Sequence, residues 1–283
     1  LPLADGGEGT LDAVAACGGE IVTYEVAGPL GKRASARMLV DVERESAVIE
    51  MAEAAGIGYS PCTESSALVA TTYGVGELML RAVRKGAKTL YIGLGGSATN
   101  DGGAGMMQAL GATLCDANGT EMGYGGGSLM ALNSVDLSGL DARLKDCTIH
   151  VACDVTNPLV GERGASRIFG PQKGATEEMI LTLDANLSHY ADVIKKSLRI
   201  DVKQVPGAGA AGGMGAALMA FLGAELKSGI EIVTQALNLE EHIHDCTLVL
   251  TGEGRIDSQS IQGKVPVGIA RIAKKYHKPV IGI

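Results

Sequence analysis

Apolar and polar positions alternate along the chain in short runs that switch repeatedly between a period of two and a period near 3.6. Glu20–Ala27, Ala34 to Val42 and Ser46–Glu50 have strand character, and the first two flank the turn Gly28-Pro-Leu-Gly31. Such a run predicts a small antiparallel sheet. Helices are expected at Leu11–Cys17, stopped by Gly18-Gly19, and near 51–55 and 73–85. Lys88 to Leu94 reads as a strand with Leu90, Ile92 and Leu94 apolar. It leads through Gly95-Gly96 and the polar Ser97, Thr99, Asn100 and Asp101 into a helix near Gly103 that carries Met106, Met107 and Leu110. Ala112–Asp116 and Cys147–Cys153 are further strands, separated by the Gly-rich loop Gly119 to Gly127.

In the second half, residues 176–198 predict a long amphipathic helix with Leu181, Leu183, Leu187, Ala191 and Ile194 inward. The Gly-rich run Pro206 to Gly215 precedes a helix over 216–222, and 230–238 has helical character. Thr247–Thr251 reads as a buried strand, followed by a helix over 265–276 and the strand Val280–Ile283. Strands alternating with helices imply an α/β fold with a largely parallel sheet. The antiparallel stretch at 20–50 argues for a second domain inserted into the first.

Composition narrows this picture. The 283 residues are 46% hydrophobic, include 41 glycines and lack Trp, so the core is aliphatic and Met-rich. A net charge of −8 without a basic cluster argues against nucleic acid and anionic membranes as partners. The scattered cysteines show no CxxC or zinc spacing, as in a cytoplasmic protein with reduced thiols. No apolar run long enough for a membrane span is present. The chain opens on Leu1 and stops within a strand-like stretch, which reads as part of a longer sequence.

Three strand ends carry acidic residues into loops, where ligands of open parallel sheets bind. They are Asn100-Asp101, the run Cys153-Asp154-Val-Thr-Asn157, and Thr251-Gly-Glu253-Gly-Arg255-Ile-Asp257. A fourth acidic loop, Asp5-Gly-Gly-Glu8-Gly, precedes the first helix. Single loop acids are often only caps or turn formers. Gly95 and Gly96 at a strand-to-helix turn suit close approach to a phosphate or carboxylate. No Walker A sequence is present; Gly170-Pro-Gln-Lys-Gly-Ala fails the pattern. Gly93-Leu-Gly-Gly-Ser-Ala98 does satisfy the looser dinucleotide pattern, with Asp116 about where a ribose-binding acid belongs. An NAD(P)-dependent oxidoreductase is therefore one rival reading, and a non-catalytic metabolite binder another. His242-Ile-His244 is read as solvated surface. Pro206 to Gly215 fits close packing and anion contact equally well.

Four motifs occur in order: Asp5-Gly-Gly-Glu-Gly-Thr10, Gly93 to Gly105, Cys153-Asp-Val-Thr-Asn-Pro-Leu159 and Thr251 to Gln259. Together they resemble the bacterial type-1 glycerate kinase family over essentially the whole chain. The resemblance implies transfer of a phosphoryl group from ATP to D-glycerate, with Mg²⁺, giving 2-phosphoglycerate. It also implies two α/β domains around a cleft. One would be Rossmann-like, with a parallel sheet, built from 1–18 and 246–283; the other would be an inserted mixed α/β domain spanning 19–245. A homodimer is one arrangement open to it. Under this reading Gly95, Gly96 and Ser97 cradle an anion, either ATP phosphate or glycerate carboxylate. Asp5, Glu8, Thr99, Asn100 and Asn157 complete the substrate and phosphate contacts. Asp257 or Asp154 is the base, Asp101 or Glu253 holds Mg²⁺, and Arg255 neutralises a carboxylate or the phosphoryl group.

Overall fold

A computed structural model describes residues 4, 7, 9–16, 18–252 and 265–283. Its strands are β1 (Glu20–Ala27), β2 (Arg33–Asp41), β3 (Ser46–Glu50), β4 (Thr89–Gly93), β5 (Thr113–Cys115), β6 (Ser134–Asp136), β7 (Thr148–Ala152), β8 (Glu225–Lys227), β9 (Val249–Thr251) and β10 (Val280–Gly282). The helices of the first half are α1 (Thr10–Ala15), α2 (Ala52–Ala55), α3 (Glu64–Ala67), α4 (Tyr73–Arg84) and α5 (Ala104–Ala109). Those of the second half are α6 (Ala165–Phe169), α7 (Glu177–Leu198), α8 (Ala210–Leu222), α9 (Gly229–Ala236), α10 (Leu239–Asp245) and α11 (Val265–Lys275).

The main sheet has the order β1-β2-β3-β4-β7-β8. β1, β2 and β3 pair antiparallel, whereas β3, β4, β7 and β8 pair parallel. The expected small antiparallel sheet is thus not separate. β3 pairs antiparallel with β2 on one edge and parallel with β4 on the other, so the meander extends the parallel sheet. The register places Glu50, Gly93, Ala152 and Lys227 in one row at the carboxyl edge. Every loop leaving a parallel strand therefore starts from the same rim.

Alternation along the strands feeds two cores. Met38, Val40, Ala47, Ile49, Leu90 and Ile92 point to one face, against residues of α4, α5, α7 and α8. Leu39 and Val48 point to the other, where they meet Leu11 and Val14 of α1, Ile230 and Val233 of α9, Ile243 of α10 and Ile269 of α11. Residues 229–245, expected with the inserted part, share their apolar core with both ends of the chain. β9 and β10 form a separate parallel pair, and β5 and β6 a separate antiparallel one.

Two local expectations differ from the structure. Leu181 is 61% exposed and Ile180 takes the inward position on α7, because Ile180, Leu183, Leu187 and Ile194 form the truer helical stripe. β9 is shorter than Thr247–Thr251 and pairs with β10 alone among the described residues. The edge strands β6 and β8, three residues each, have too little pattern to be read from sequence.

Candidate active site

The loop between β4 and α5 is shaped by the segment that follows α2. Ile57 N–H donates to Gly96 O at 2.8 Å, and Ala98 N–H donates to Ala55 O at 2.9 Å. Gly96 turns with φ of 71°, in the left-handed region that glycine occupies without strain. Gly95 faces Gly7, ahead of α1, and a methyl added to it would lie 3.1 Å from Gly7 Cα. Between these walls lies a cavity of about 280 Å³. Gly95, Gly96 and Ser97 line it, with Cys153 and Asp154 from the end of β7, Phe169 and Gln172 from the α6 side, and Ala210 and Ala211 from the start of α8. Among the described residues, nothing accepts from the amides of Gly95, Gly96 and Ser97, so the loop offers donors to a ligand.

Asp154 opens onto the same cavity while its Oδ1 accepts from Gly229 N–H at 2.9 Å, at the start of α9. The chain motif thus delivers a carboxylate to the cavity that Gly95, Gly96 and Ser97 also line. Asn157 lies further along this loop and is used internally. Its side-chain amide donates to Arg163 O at 2.8 Å, and its carbonyl accepts from Gly209 N–H at 3.0 Å. Asp5, Glu8, Glu253, Arg255 and Asp257 lie outside the described residues.

Three of the residues expected to contact ligands are buried. Asp101 has no exposed surface. Its Oδ1 accepts from Gly103 N–H at 3.0 Å, and its Oδ2 accepts from Thr72 N–H at 2.8 Å, Thr72 Oγ1 at 2.9 Å and Gly105 N–H at 3.3 Å. Burial pushes its carboxyl above the usual range and these donors pull it back. Enclosed in this way, Asp101 fastens the start of α5 to the segment before α4 and presents no oxygen to a metal in the cleft. Thr99 is fully buried. Asn100, 2% exposed, donates from Nδ2 to Ser166 Oγ at 2.8 Å. Asp101 and the Asn100 amide nitrogen brace their neighbours, whereas Thr99 Oγ1 and Asn100 Oδ1 have no hydrogen-bond partner among the described residues, and sequence alone does not separate these outcomes.

The Gly-rich run 206–215 is resolved toward packing, with a share in the cleft. Ala211, Gly212 and Gly213 hold φ of 50°, 65° and 93°. A methyl at Gly212 would collide with the Thr99 carbonyl, and Gly102 N–H donates to Gly212 O at 2.9 Å. The dinucleotide reading fails on position. Asp116 follows β5, outside the main sheet, and its Oδ1 accepts from Asn118 N–H at 2.8 Å and Thr120 N–H at 2.9 Å, as in an Asx turn. His244 pairs with the neighbouring Asp245 at 2.8 Å and is exposed, as expected for surface. Among the described residues no cluster of three or more metal-ligating side chains exists.

Two residues at the rim were not singled out from the sequence. Glu50 ends β3 as Asp154 follows β7, so the strand-end rule would have found it. It is 4% exposed and accepts from Leu11 N–H at 2.7 Å, tying α1 to the sheet. Burial raises its pKa against the pull of the Leu11 and Gly9 amides. Lys173 is the second. It ends a turn of 3₁₀ helix after α6, is 2% exposed, and donates from Nζ to Ser97 Oγ at 3.0 Å and to Thr99 O at 2.5 Å. Its setting between glycines in Gly170-Pro-Gln-Lys-Gly was the available signal, which carries no indication of burial.

The model of the "Glycerate kinase family" matches residues 1–283. The chain is 69% identical to the glycerate 2-kinase of Escherichia coli, covering 100% of this chain and 74% of the relative. It is 52% identical to the glycerate kinase of Bacillus subtilis, with coverage of 100% and 74%. A crystal structure described as a glycerate kinase 2 from Salmonella typhimurium LT2 superimposes with a TM-score of 0.94 at 58% identity, over 100% of this chain and 76% of that one. A chain with this sheet, this glycine turn and acidic strand end on one cavity, and a match over residues 1–283 belongs to the glycerate kinase family.

Proposed function

We propose that the protein phosphorylates D-glycerate on its 2-hydroxyl with ATP as donor, giving 2-phosphoglycerate and ADP. The observation that carries this reading is the cavity at the carboxyl rim, which Gly95, Gly96 and Ser97 line together with Asp154. Its volume of about 280 Å³ suits a small hydroxy acid and leaves the nucleotide to extend beyond it. Phosphoryl transfer asks the protein mainly to position the reactants and to stabilise developing charge. The free amides of the loop hold an anionic group, either the glycerate carboxylate or a phosphate of ATP. Asp154 takes the hydroxyl proton as that oxygen forms its bond to the γ-phosphorus and the bond to the ADP oxygen breaks.

Asp257 is the other candidate for the base, and Arg255 for neutralising the phosphoryl group; Asp5 and Glu8 remain proposed substrate contacts. Mg²⁺ fits a site with few protein ligands, since this ion commonly takes one or two carboxylates and fills its sphere with phosphate oxygens and water. Glu253 is the proposed ligand, and the ion's contribution is to neutralise phosphate charge. A cytoplasmic setting fits the free cysteines among the described residues.

The test is ADP formation from ATP, Mg²⁺ and D-glycerate, with L-glycerate and no-acceptor controls, and the product identified by ³¹P NMR. ADP dependent on D-glycerate with a 2-phosphate product is expected. Absence of acceptor-dependent ADP would overturn the proposal, and a 3-phosphate product would overturn the regiochemistry. Asp154→Asn should lower kcat by roughly 10²- to 10⁴-fold, the range for general bases. If Asp257→Asn does so and Asp154→Asn does not, Asp257 is the base.

A further inference from the structure

A lysine buried to 2% exposure beneath an anion loop has a high cost to offset. Lys173 has three N–H donors and no acceptor, and two of its donors are placed on Ser97 Oγ and Thr99 O. Because the ammonium can only donate, it occupies a lone pair of the Ser97 hydroxyl. The Ser97 O–H must then point elsewhere, and Ser97 is at the wall of the cavity. The charge of Lys173 also lies directly behind the loop whose amides face the cleft, in a setting where water screens little.

The peptide around Lys173 is fixed on both sides. Gly174 adopts φ of 92° and lies against the Cys62 carbonyl, where a side chain would collide. Gly170 N–H donates to Ser166 O, and Ala175 N–H returns to Gly170 O at 3.1 Å. The ammonium is therefore delivered from a rigid turn. Asp101, on the loop, and Cys62, before α3, are the titratable groups that favour its charge, and burial opposes them, so its pKa falls to about 8.

Resting on the glycerate kinase reading, we propose that Lys173 is a positioning residue: its ammonium orients Ser97 as a donor into the cleft and supplies the positive charge behind the Gly95–Ser97 loop that an anionic substrate oxygen meets. The recognised group is a carboxylate or phosphate oxygen, and the two sources are separable by measurement.

The experiment compares the parent with Lys173→Met, Lys173→Arg, Ser97→Ala and the Lys173→Met/Ser97→Ala pair. Calorimetric affinities for D-glycerate alone and for a non-hydrolysable ATP analogue with Mg²⁺ are read beside kcat and KM. Lys173→Met should weaken one of the two ligands at least tenfold and leave the other within about threefold. The weakened ligand is then the one held by the loop. In the Ser97→Ala background the same change should cost distinctly less, because part of its effect passes through that hydroxyl. In the parent, affinity for that ligand should fall as pH rises through about 8, and Lys173→Arg, which stays charged, should keep it above pH 9. Unchanged affinities in Lys173→Met, or an identical alkaline fall in Lys173→Arg, would overturn the proposal. If the Met variant does not fold, the Arg comparison still decides. A parent that turns over D-glycerate while the variants match it refutes Lys173 alone; a parent inactive toward D-glycerate refutes the kinase reading.

Discussion

Asp101 and Lys173 are both charged and both enclosed, yet their surroundings set them different tasks. Asp101 faces only donors, from Thr72, Gly103 and Gly105. Asp101→Asn would turn an amide N–H₂ toward one or more of them, leaving buried groups unpaired at roughly 1–3 kcal/mol apiece. The expected result is a lowered urea midpoint with Mg²⁺ affinity unchanged in the folded fraction; a selective loss of Mg²⁺ affinity would restore Asp101 as a ligand. Lys173 has the opposite balance. A fall from 10.5 to about 8 corresponds to about 3 kcal/mol held against the charged form in the fold. Between those two pH values the unfolded chain binds the extra proton, so stability from this site rises with pH. The stability difference between parent and Lys173→Met should therefore move in the parent's favour from pH 8 to 10, while activity moves the other way. Denaturant titrations at a series of pH values would show it.

At the level of elements, the site is assembled by strand ends and held by glycine contacts. Glu50 at the end of β3 secures α1 through Leu11 N–H, and Gly7, ahead of that helix, is set against Gly95. Glu50→Ala should destabilise the protein by about 1–3 kcal/mol, whereas Glu50→Gln, which keeps an acceptor, should cost much less. Thermal melts of the two variants, alone and with D-glycerate, distinguish them. Gly212 lets α8 approach the Thr99 carbonyl with a left-handed turn. Gly212→Ala should lose several kcal/mol, from collision and from backbone strain together. The helical stripe of α7 and the strand β4 with its glycine turn were legible in the sequence because their periodicity extends over enough residues. Leu181 was misplaced because two neighbouring apolar residues, Ile180 and Leu181, compete for one inward position, and only packing selects between them.

Across the whole molecule, the parallel register of β3, β4, β7 and β8 puts Glu50, Gly93, Ala152 and Lys227 at one rim, which brings the loops of distant segments to a common cleft. Both faces of the sheet are covered, one by the large core and the other by a smaller core built from α1, α9, α10 and α11. Substitution at Val233, fully buried in that smaller core, tests its role: Val233→Ala should lower stability by a few kcal/mol without altering substrate affinity in the folded protein. The α/β class, the glycine turn after β4 and the acidic strand end at Asp154 follow from local pattern, since periodicity, turn chemistry and residue type are properties of neighbours in the chain. So does the family, because four ordered motifs need no third dimension to be recognised. The joining of the antiparallel meander to the parallel sheet, the enclosure of Thr99, Asn100 and Asp101, and the arrival of Lys173 beneath Ser97 are of another kind. Each depends on segments distant in the chain meeting in space or on the balance of burial around a polar group, and neither quantity exists until the chain has folded.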